Sequence, residues 1–139
     1  MAKQTDLFLH SNHFSSGVSF VNADGTTLKI VCSGGLNDSD LKCLMATSTD
    51  TSALNVKITL SNTSVDQIIG TVNVSANAGT DGTVNAVDLM NSTVMPFTAI
   101  DSSGKRYLPL KSGWFIKAAP ITSVTAAKTL YVTAIGHDY

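Results

Sequence analysis

The sequence contains no glutamate, and charged residues of any kind are scarce. All 10 acidic residues are aspartates, and Asp, Lys and Arg together make up 14% of the 139 residues, against about 25% in an average globular domain. Glutamate favours helices, whereas aspartate competes with the backbone and favours turns and caps. The composition therefore argues against long helices, and it implies a surface made largely of Ser, Thr and Asn.

Net charge and hydrophobic runs exclude further classes of protein. A net charge of -1 provides no broad field that would gather nucleic acid or an anionic membrane, and no stretch approaches the roughly 20 apolar residues of a membrane-spanning helix. The chain starts Met-Ala-Lys-Gln-Thr-Asp without an apolar signal core, so we expect synthesis in a cytosol, where thiols stay reduced. Cys32 and Cys43 are then expected to pack as small apolar groups, with a cross-strand disulfide as the alternative.

Motifs that carry chemistry are also missing. The chain has no Gly-x-Ser-x-Gly elbow, no Gly-x-x-x-x-Gly-Lys-Ser/Thr phosphate loop and no Cys-x-x-Cys or His-Glu-x-x-His frame. The sequence therefore predicts neither an enzyme nor a cofactor. His10 and His13, with His137 and Asp138 at a distance, could donate to a metal ion, but histidines that hydrogen-bond to a partner are the favoured interpretation.

Residues 54–74 carry the clearest structural pattern. Apolar and polar residues alternate over the first seven positions, as in a half-buried strand. Short polar residues at 61–66 favour a chain reversal. A second apolar alternation follows with three residues on one face: Ile68, Val72 and Val74. The stretch predicts a β-hairpin with one dry face and one wet face.

Two stretches nearer the N-terminus show the same alternation. Residues 18–32 predict a hairpin, because their Asp-Gly pair supplies the positive φ of a tight turn. Its second strand is expected to bury one face, made of Leu28, Ile30 and Cys32. Residues 41–47 predict a strand that turns three residues inward: Leu41, Cys43 and Met45.

The C-terminal half combines one ambiguous segment with several clear strands. Residues 84–95 predict a short helix that ends before Pro96, because the residue before a proline avoids helical angles. Residues 97–110 predict a hairpin, and Pro109 makes its second half an edge strand because proline cannot donate to a ladder. Residues 114–118 and 129–135 close the domain as strands.

Short strands with turns between them predict the fold class. We expect an all-β, single-domain β-sandwich or jelly-roll-like barrel over residues 17–139, with at most one short helix. Residues 1–16 follow neither the strand period nor the helix period, yet they hold large apolar groups, which a disordered tail rarely does. We interpret them as an N-terminal arm that is ordered by contact with its own domain or with a neighbour; an irregular first strand is the alternative.

Five short motifs in the second half of the chain occur in a recognisable order. They are Gly70-Thr71-Val72, Ala78-Gly79-Thr80-Asp81-Gly82-Thr83, Val87-Asp88-Leu89-Met90-Asn91-Ser92-Thr93, Leu108-Pro109-Leu110-Lys111-Ser112-Gly113-Trp114 and the ending Thr129-Leu130-Tyr131-Val132-Thr133-Ala134-Ile135-Gly136-His137-Asp138-Tyr139. With them, the segment from Gly70 to Tyr139 resembles the family of small tailed-bacteriophage capsid decoration, or cement, proteins.

The resemblance implies a structural virion protein that binds the outer surface of an assembled icosahedral phage head and stabilises it. It implies a homotrimer with the major capsid protein as partner, without nucleic acid or membrane. The place of action is then the capsid exterior, after synthesis in the host cytoplasm.

Contacts with the capsid or with neighbouring subunits are expected at the arm and at the C-terminus. The residues are Leu7, Phe8, Leu9, His10, His13, Phe14, His137, Asp138 and Tyr139. One alternative is a carbohydrate-binding or host-recognition β-module, in which Trp114 or Tyr107 stacks on a sugar, although core packing is the favoured use of Trp114. Another is a tail or head-completion structural subunit.

Overall fold

The computed structural model describes residues 12–139. In these residues, ten strands with alternating apolar side chains form two antiparallel sheets. The strands are β1 (Asn12–Val21), β2 (Lys29–Ser33), β3 (Ser39–Ser48), β4 (Leu54–Ser61), β5 (Asp66–Val74), β6 (Val87–Asp88), β7 (Ala99–Ile100), β8 (Arg106–Leu110), β9 (Phe115–Pro120) and β10 (Thr129–Asp138). Across the described residues, the single helical element is a 3-10 turn at Asn22–Asp24.

The two sheets enclose one apolar core. The larger sheet has the order β1-β10-β3-β8-β7, with β6 also paired to β3, and the smaller sheet has the order β2-β9-β4-β5. The largest fully buried side chains come from both sheets and include Phe20, Leu44, Ile58, Ile116 and Leu130. The all-β prediction is confirmed, and the arrangement fits a β-sandwich. None of the helical structure in residues 12–139 is long and apolar enough to cross a membrane.

The central hairpin predicted over residues 54–74 is present. Strands β4 and β5 pair antiparallel from Leu54 opposite Val74 to Ser61 opposite Asp66. In the connecting turn, Asn62 Oδ1 accepts hydrogen bonds from the backbone N–H groups of the second and third residues after it. The short polar side chains therefore reverse the chain as expected.

The predicted inward faces of three strands are correct on one side of a β-bulge and wrong on the other. Cys32, Leu41, Val72 and Val74 are buried as predicted. The residues without a ladder partner are Val31 in β2, Lys42 in β3 and Ile69 in β5. An extra residue reverses the alternation for the rest of the strand. Ile30 and Ile68, predicted inward, are 49% and 64% exposed. In β3, Leu44 is fully buried, whereas Cys43 and Met45 are half-buried.

The hairpin predicted over residues 18–32 is also wrong, because its two halves lie in different sheets. Strand β1 pairs with β10, and β2 pairs with β9. The link between them is stabilised by Asp24, whose Oδ2 accepts the Val21 N–H at 2.8 Å and lies 2.9 Å from Lys29 Nζ. The Asp-Gly turn therefore carries the chain from one sheet to the other.

The segment 84–95 contains no helix. Asp88 Oδ1 accepts the Met90 N–H, and Asn91 Oδ1 accepts the N–H groups of Thr93 and Val94, at 2.8–3.0 Å. Local side-chain bonds of this kind compete with helical hydrogen bonds. The apolar residues that suggested a helix are instead buried singly in the core, as at Leu89, Met90 and Met95.

The hairpin predicted over residues 97–110 is formed by β7 and β8. Strand β8 is not an edge strand along its whole length, since β7 pairs with it at Arg106 and Tyr107. That pairing ends before Pro109, which lies opposite Asp40 of β3. Among the described residues, Pro109 therefore has a neighbouring strand on one side only.

Candidate functional site

Five of the nine predicted contact residues lie together at one end of the larger sheet. We call His13, Phe14, His137, Asp138 and Tyr139 the carboxyl-terminal rim. It forms because β1 begins where the neighbouring antiparallel strand β10 ends, with Asn12 opposite Asp138. The other predicted residues, Leu7, Phe8, Leu9 and His10, lie outside the described residues, and the arm boundary after Ser16 falls within β1.

Two histidines, the exposed His13 and the half-buried His137, form one corner of the rim. His13 lies directly opposite His137, and their rings meet edge to face with centroids 4.3 Å apart at 87°. On its other side, His137 lies opposite Asp40 of β3. Residues 12–139 contain no group of three or more His, Cys, Asp or Glu side chains that could hold a metal ion. The described part of the rim thus presents imidazole donors and acceptors without a metal cage.

Phe14 covers a glycine at the second row of the rim. Its ladder partner is Gly136, and a Cβ atom added there would lie 2.6 Å from the Phe14 ring and would overlap the backbone oxygen of Asp40. An aromatic residue packed over a strand glycine in this way fills the space that the missing side chain leaves. The rim therefore requires glycine at position 136.

Asp138 is held by Ser39, the first residue of β3. Its Oδ1 accepts a very short hydrogen bond from Ser39 Oγ, which in turn accepts the Gly35 N–H at 2.8 Å. Ser39 is almost fully buried. The carboxylate is therefore fixed in one orientation by a buried hydroxyl.

The last residue, Tyr139, is fixed through both its backbone and its side chain. Its N–H donates to the Asp38 carbonyl at 3.2 Å, and its phenol donates to Asp40 Oδ2 at 2.7 Å. The hydrogen bond to Asp40, followed by burial, raises the pKa of Tyr139 from 10.0 to about 12. The phenol therefore stays a proton donor across the physiological range.

Shallow cavities lie on both sides of the C-terminal residues. One of about 260 Å³ is bordered by Phe14, Ile30 and Asp138, and another of about 430 Å³ is bordered by Asp38, Lys111 and Tyr139. The rim is consequently a ridge between two depressions, a shape that a partner chain can engage on either side.

The two aromatic residues considered for sugar stacking do not share a platform. Trp114 packs against the core and borders a separate cavity of about 170 Å³ with Leu60 and Pro109. The Tyr107 ring is covered by the ammonium of Lys42, 4.6 Å from its centroid. The predicted core packing of Trp114 thus agrees with its position.

The titratable groups with shifted pKa values serve the fold. The pKa is lowered in five aspartates: Asp24, Asp50, Asp66, Asp81 and Asp101. In most of them the cause is hydrogen bonding from turn N–H groups; in Asp50, burial raises the pKa but the N–H groups of Thr125 and Ser52 outweigh it. Carboxyls of this kind are ionised acceptors and poor proton donors at neutral pH.

Burial raises the pKa of the Cys32 thiol to about 12 and raises that of Cys43, and both thiols are free.

Sequence reasoning missed the residues that hold the rim. Gly35, Asp38, Ser39 and Asp40 were not among the predicted contact residues, and nothing in their spacing points to the C-terminus about 100 positions later. The one local signal is the pair Gly34-Gly35, which allows close approach of other chains.

The chain matches no family model and no curated protein. Among solved structures it is similar to a chain of the "Cyanophage Pam1 capsid asymmetric unit", with a TM-score of 0.45 and 12% sequence identity, over 93% of this chain and 85% of that chain.

Proposed function

We propose that this protein is a capsid decoration subunit of a tailed bacteriophage, which binds the outer surface of the assembled head as a homotrimer. The observation that carries the proposal is the ordered set of motifs from Gly70 to Tyr139, which resembles the cement proteins of such heads. The ending Gly136-His137-Asp138-Tyr139, the most specific of these motifs, belongs to the rim. His137, Asp138 and Tyr139, all half-buried, thus link the resemblance to a partly accessible surface.

The chemistry of the rim suits a protein partner. It offers two imidazoles, a half-buried phenyl ring and an anchored carboxylate next to open depressions. Phenylalanine and tyrosine, which the rim contributes as Phe14 and Tyr139, are enriched at protein interfaces. Because this chain has a net charge of only -1, it has no strong field to attract a partner, which is instead recognised by shape and short-range hydrogen bonds. The major capsid protein, exposed at the head surface, is the partner that we propose.

In a homotrimer, weak contacts between each copy and the shell are sufficient for stable binding of the whole trimer. When one copy of a trimer is bound, the other two copies face their sites at high effective concentration, so the trimer dissociates slowly. Because the trimer binds assembled shell better than loose capsid protein, it stabilises the shell by mass action. This role needs no bond to be made or broken, in agreement with a chain that we expect to have no enzymatic activity.

Co-sedimentation with expanded phage heads tests the proposal. We expect the full-length protein to sediment with heads and to remain in solution with unassembled capsid protein. His13→Ala and His137→Ala should weaken the binding at least tenfold. Thr71→Ala, an exposed substitution on β5 of the other sheet, is the matched control and should bind normally. If the protein does not sediment with heads but is retained on a glycan array, it is a carbohydrate-binding module instead.

A further inference from the structure

The most exposed large apolar side chain among the described residues belongs to Leu36, in the loop between β2 and β3. Leu36 is 95% exposed, and the next in order, Ile68, is 64% exposed. Single exposed leucines are common on protein surfaces. Leu36 differs from such a leucine because the backbone on both sides of it is fixed and because an apolar cavity lies nearby.

Hydrogen bonds on both sides of Leu36 hold its loop in place. Before it, the Gly34 N–H donates to the Trp114 carbonyl at 2.9 Å. After it, Asp38 Oδ1 accepts the Ser112 N–H at 2.8 Å. Both of these partners belong to the turn that connects β8 with β9. The loop therefore presents Leu36 at a fixed place beside this turn, which lowers the entropy that is lost when the side chain binds.

The same turn borders the apolar cavity of about 170 Å³. Two of the lining residues, Leu60 and Trp114, are half-buried and pack against the core, so the cavity connects the surface with core side chains. An apolar cavity of about 150 Å³ accepts benzene, and a leucine side chain has fewer carbon atoms than benzene. The cavity, which we call the Trp114 cavity, therefore has room for one leucine side chain. Its lining residues are Leu60, Pro109, Leu110, Lys111 and Trp114.

We propose that Leu36 of one copy of the chain occupies the Trp114 cavity of a neighbouring copy. This proposal rests on the homotrimer of the proposed function and assigns its interface. Because Leu36 and the cavity are different sites on the chain, each copy donates its leucine to one neighbour and receives a leucine from the other. Three such contacts close a ring.

Charges beside the two sites favour a second copy as the occupant. Lys111 is the single charged residue that lines the Trp114 cavity, and none of the ion pairs within residues 12–139 includes it. Asp38, two residues after Leu36, is exposed. Within one copy, Asp38 and Lys111 border the same depression without pairing. When Leu36 enters the neighbour's cavity, Asp38 comes close to the neighbour's lysine. Such a charge pair orients the two copies more than it strengthens their contact.

Replacing the leucine tests the contact in the full-length protein. Because Leu36 is almost entirely exposed, Leu36→Ser should keep the far-ultraviolet circular dichroism spectrum of the wild type. In light scattering, the concentration at which half of the protein is trimeric should rise by roughly tenfold or more, since the burial of a leucine is lost. Ile68→Ser, the same change at an exposed position on β5, is the matched control and should associate normally. A folded Leu36→Ser that associates like the wild type, or a wild type that is monomeric at every concentration, would overturn the proposal.

Trp114 provides an independent readout, because it is the single tryptophan of the chain and lines the cavity. In the trimer, a leucine from the neighbour should cover the indole and exclude solvent from it. Quenching of the tryptophan fluorescence by acrylamide should therefore be about twofold weaker in the wild-type trimer than in the monomer. Leu36→Ser should be quenched equally at all concentrations. Equal quenching of the wild-type monomer and trimer would place Leu36 elsewhere and overturn the proposal.

This proposal and the proposed function fail separately. A trimer that depends on Leu36 but does not sediment with phage heads refutes the decoration role. Heads that bind a trimer unaffected by Leu36→Ser refute the leucine contact and leave the decoration role standing.

Discussion

Replacing Tyr139 by phenylalanine isolates a single bond that fixes the end of the chain. The substitution keeps the ring but removes the phenol that donates to Asp40 Oδ2 at 2.7 Å. A hydrogen bond to a charged group contributes roughly 1.5–3 kcal/mol, but Tyr139 is only half-buried at the chain end, where water can replace it. We therefore expect Tyr139→Phe to lower the free energy of unfolding by about 1 kcal/mol.

The pKa of Tyr139 gives the same bond a pH dependence. Its value in the folded protein, about 12, is above the ordinary 10.0, so the folded state holds the proton more tightly than the unfolded state. The stabilisation is then complete below pH 10 and is lost as the pH rises from 10 to about 12. Two pKa units correspond to at most about 2.7 kcal/mol, and solvent screening reduces this toward the 1 kcal/mol expected from the hydrogen bond.

Urea unfolding followed by the fluorescence of Trp114, the single tryptophan, measures the effect. With an m-value of about 2 kcal/mol per molar, the midpoint of Tyr139→Phe should lie roughly 0.5 M below that of the wild type at pH 8. The difference should disappear near pH 12. Combined with Asp40→Asn, the double-mutant cycle should return a coupling of about 1 kcal/mol. Equal midpoints at pH 8, or a difference that grows above pH 10, would refute the reasoning.

Three further predictions concern the fold that supports the rim. Asp50→Ala should lower the free energy of unfolding by about 2–3 kcal/mol, because three hydrogen bonds to a buried carboxylate, two of them from Thr125, are lost; an unchanged urea midpoint would contradict this. Gly136→Ala should lower the Tm by roughly 5 °C or more, since its Cβ would overlap a neighbouring strand, and a calorimetric scan that matches the wild type would count against the close packing. In the folded protein, Cys43 should react with a thiol reagent well before Cys32, which is 4% exposed and has a pKa of about 12; equal rates by mass spectrometry would contradict the burial.

Local alternation predicted the position of several strands. The hairpin of β4 and β5 is present, and residues 114–118 and 129–135 lie largely in β9 and β10 as expected, with alternate residues buried: Ile116, Ala118, Leu130, Val132 and Ala134. The errors in the predicted inward faces have one cause in common. At Val31, Lys42 and Ile69 the partner strand imposes a bulge, and a bulge depends on register with a strand far away in sequence. Nothing local at these positions signals the reversal.

The composition of the rim was predictable in part, and its geometry was not. The pairing of His13 with His137 follows from the register of the first and last strands, which are separated by most of the chain. The side-chain hydrogen bonds that fix Asp138 and Tyr139 come from Ser39 and Asp40, the first two residues of β3. Each of these contacts is long-range, so it depends on the assembled sandwich and leaves no trace in local sequence patterns.

The thermal stability of purified phage heads, measured by scanning calorimetry with and without added protein, tests the decoration role most directly. Because the protein should bind the assembled shell in preference to loose subunits, saturating amounts should raise the temperature at which the shell disassembles, and the increase should grow with protein concentration. A shell transition that stays at the same temperature at every concentration would contradict the proposed function.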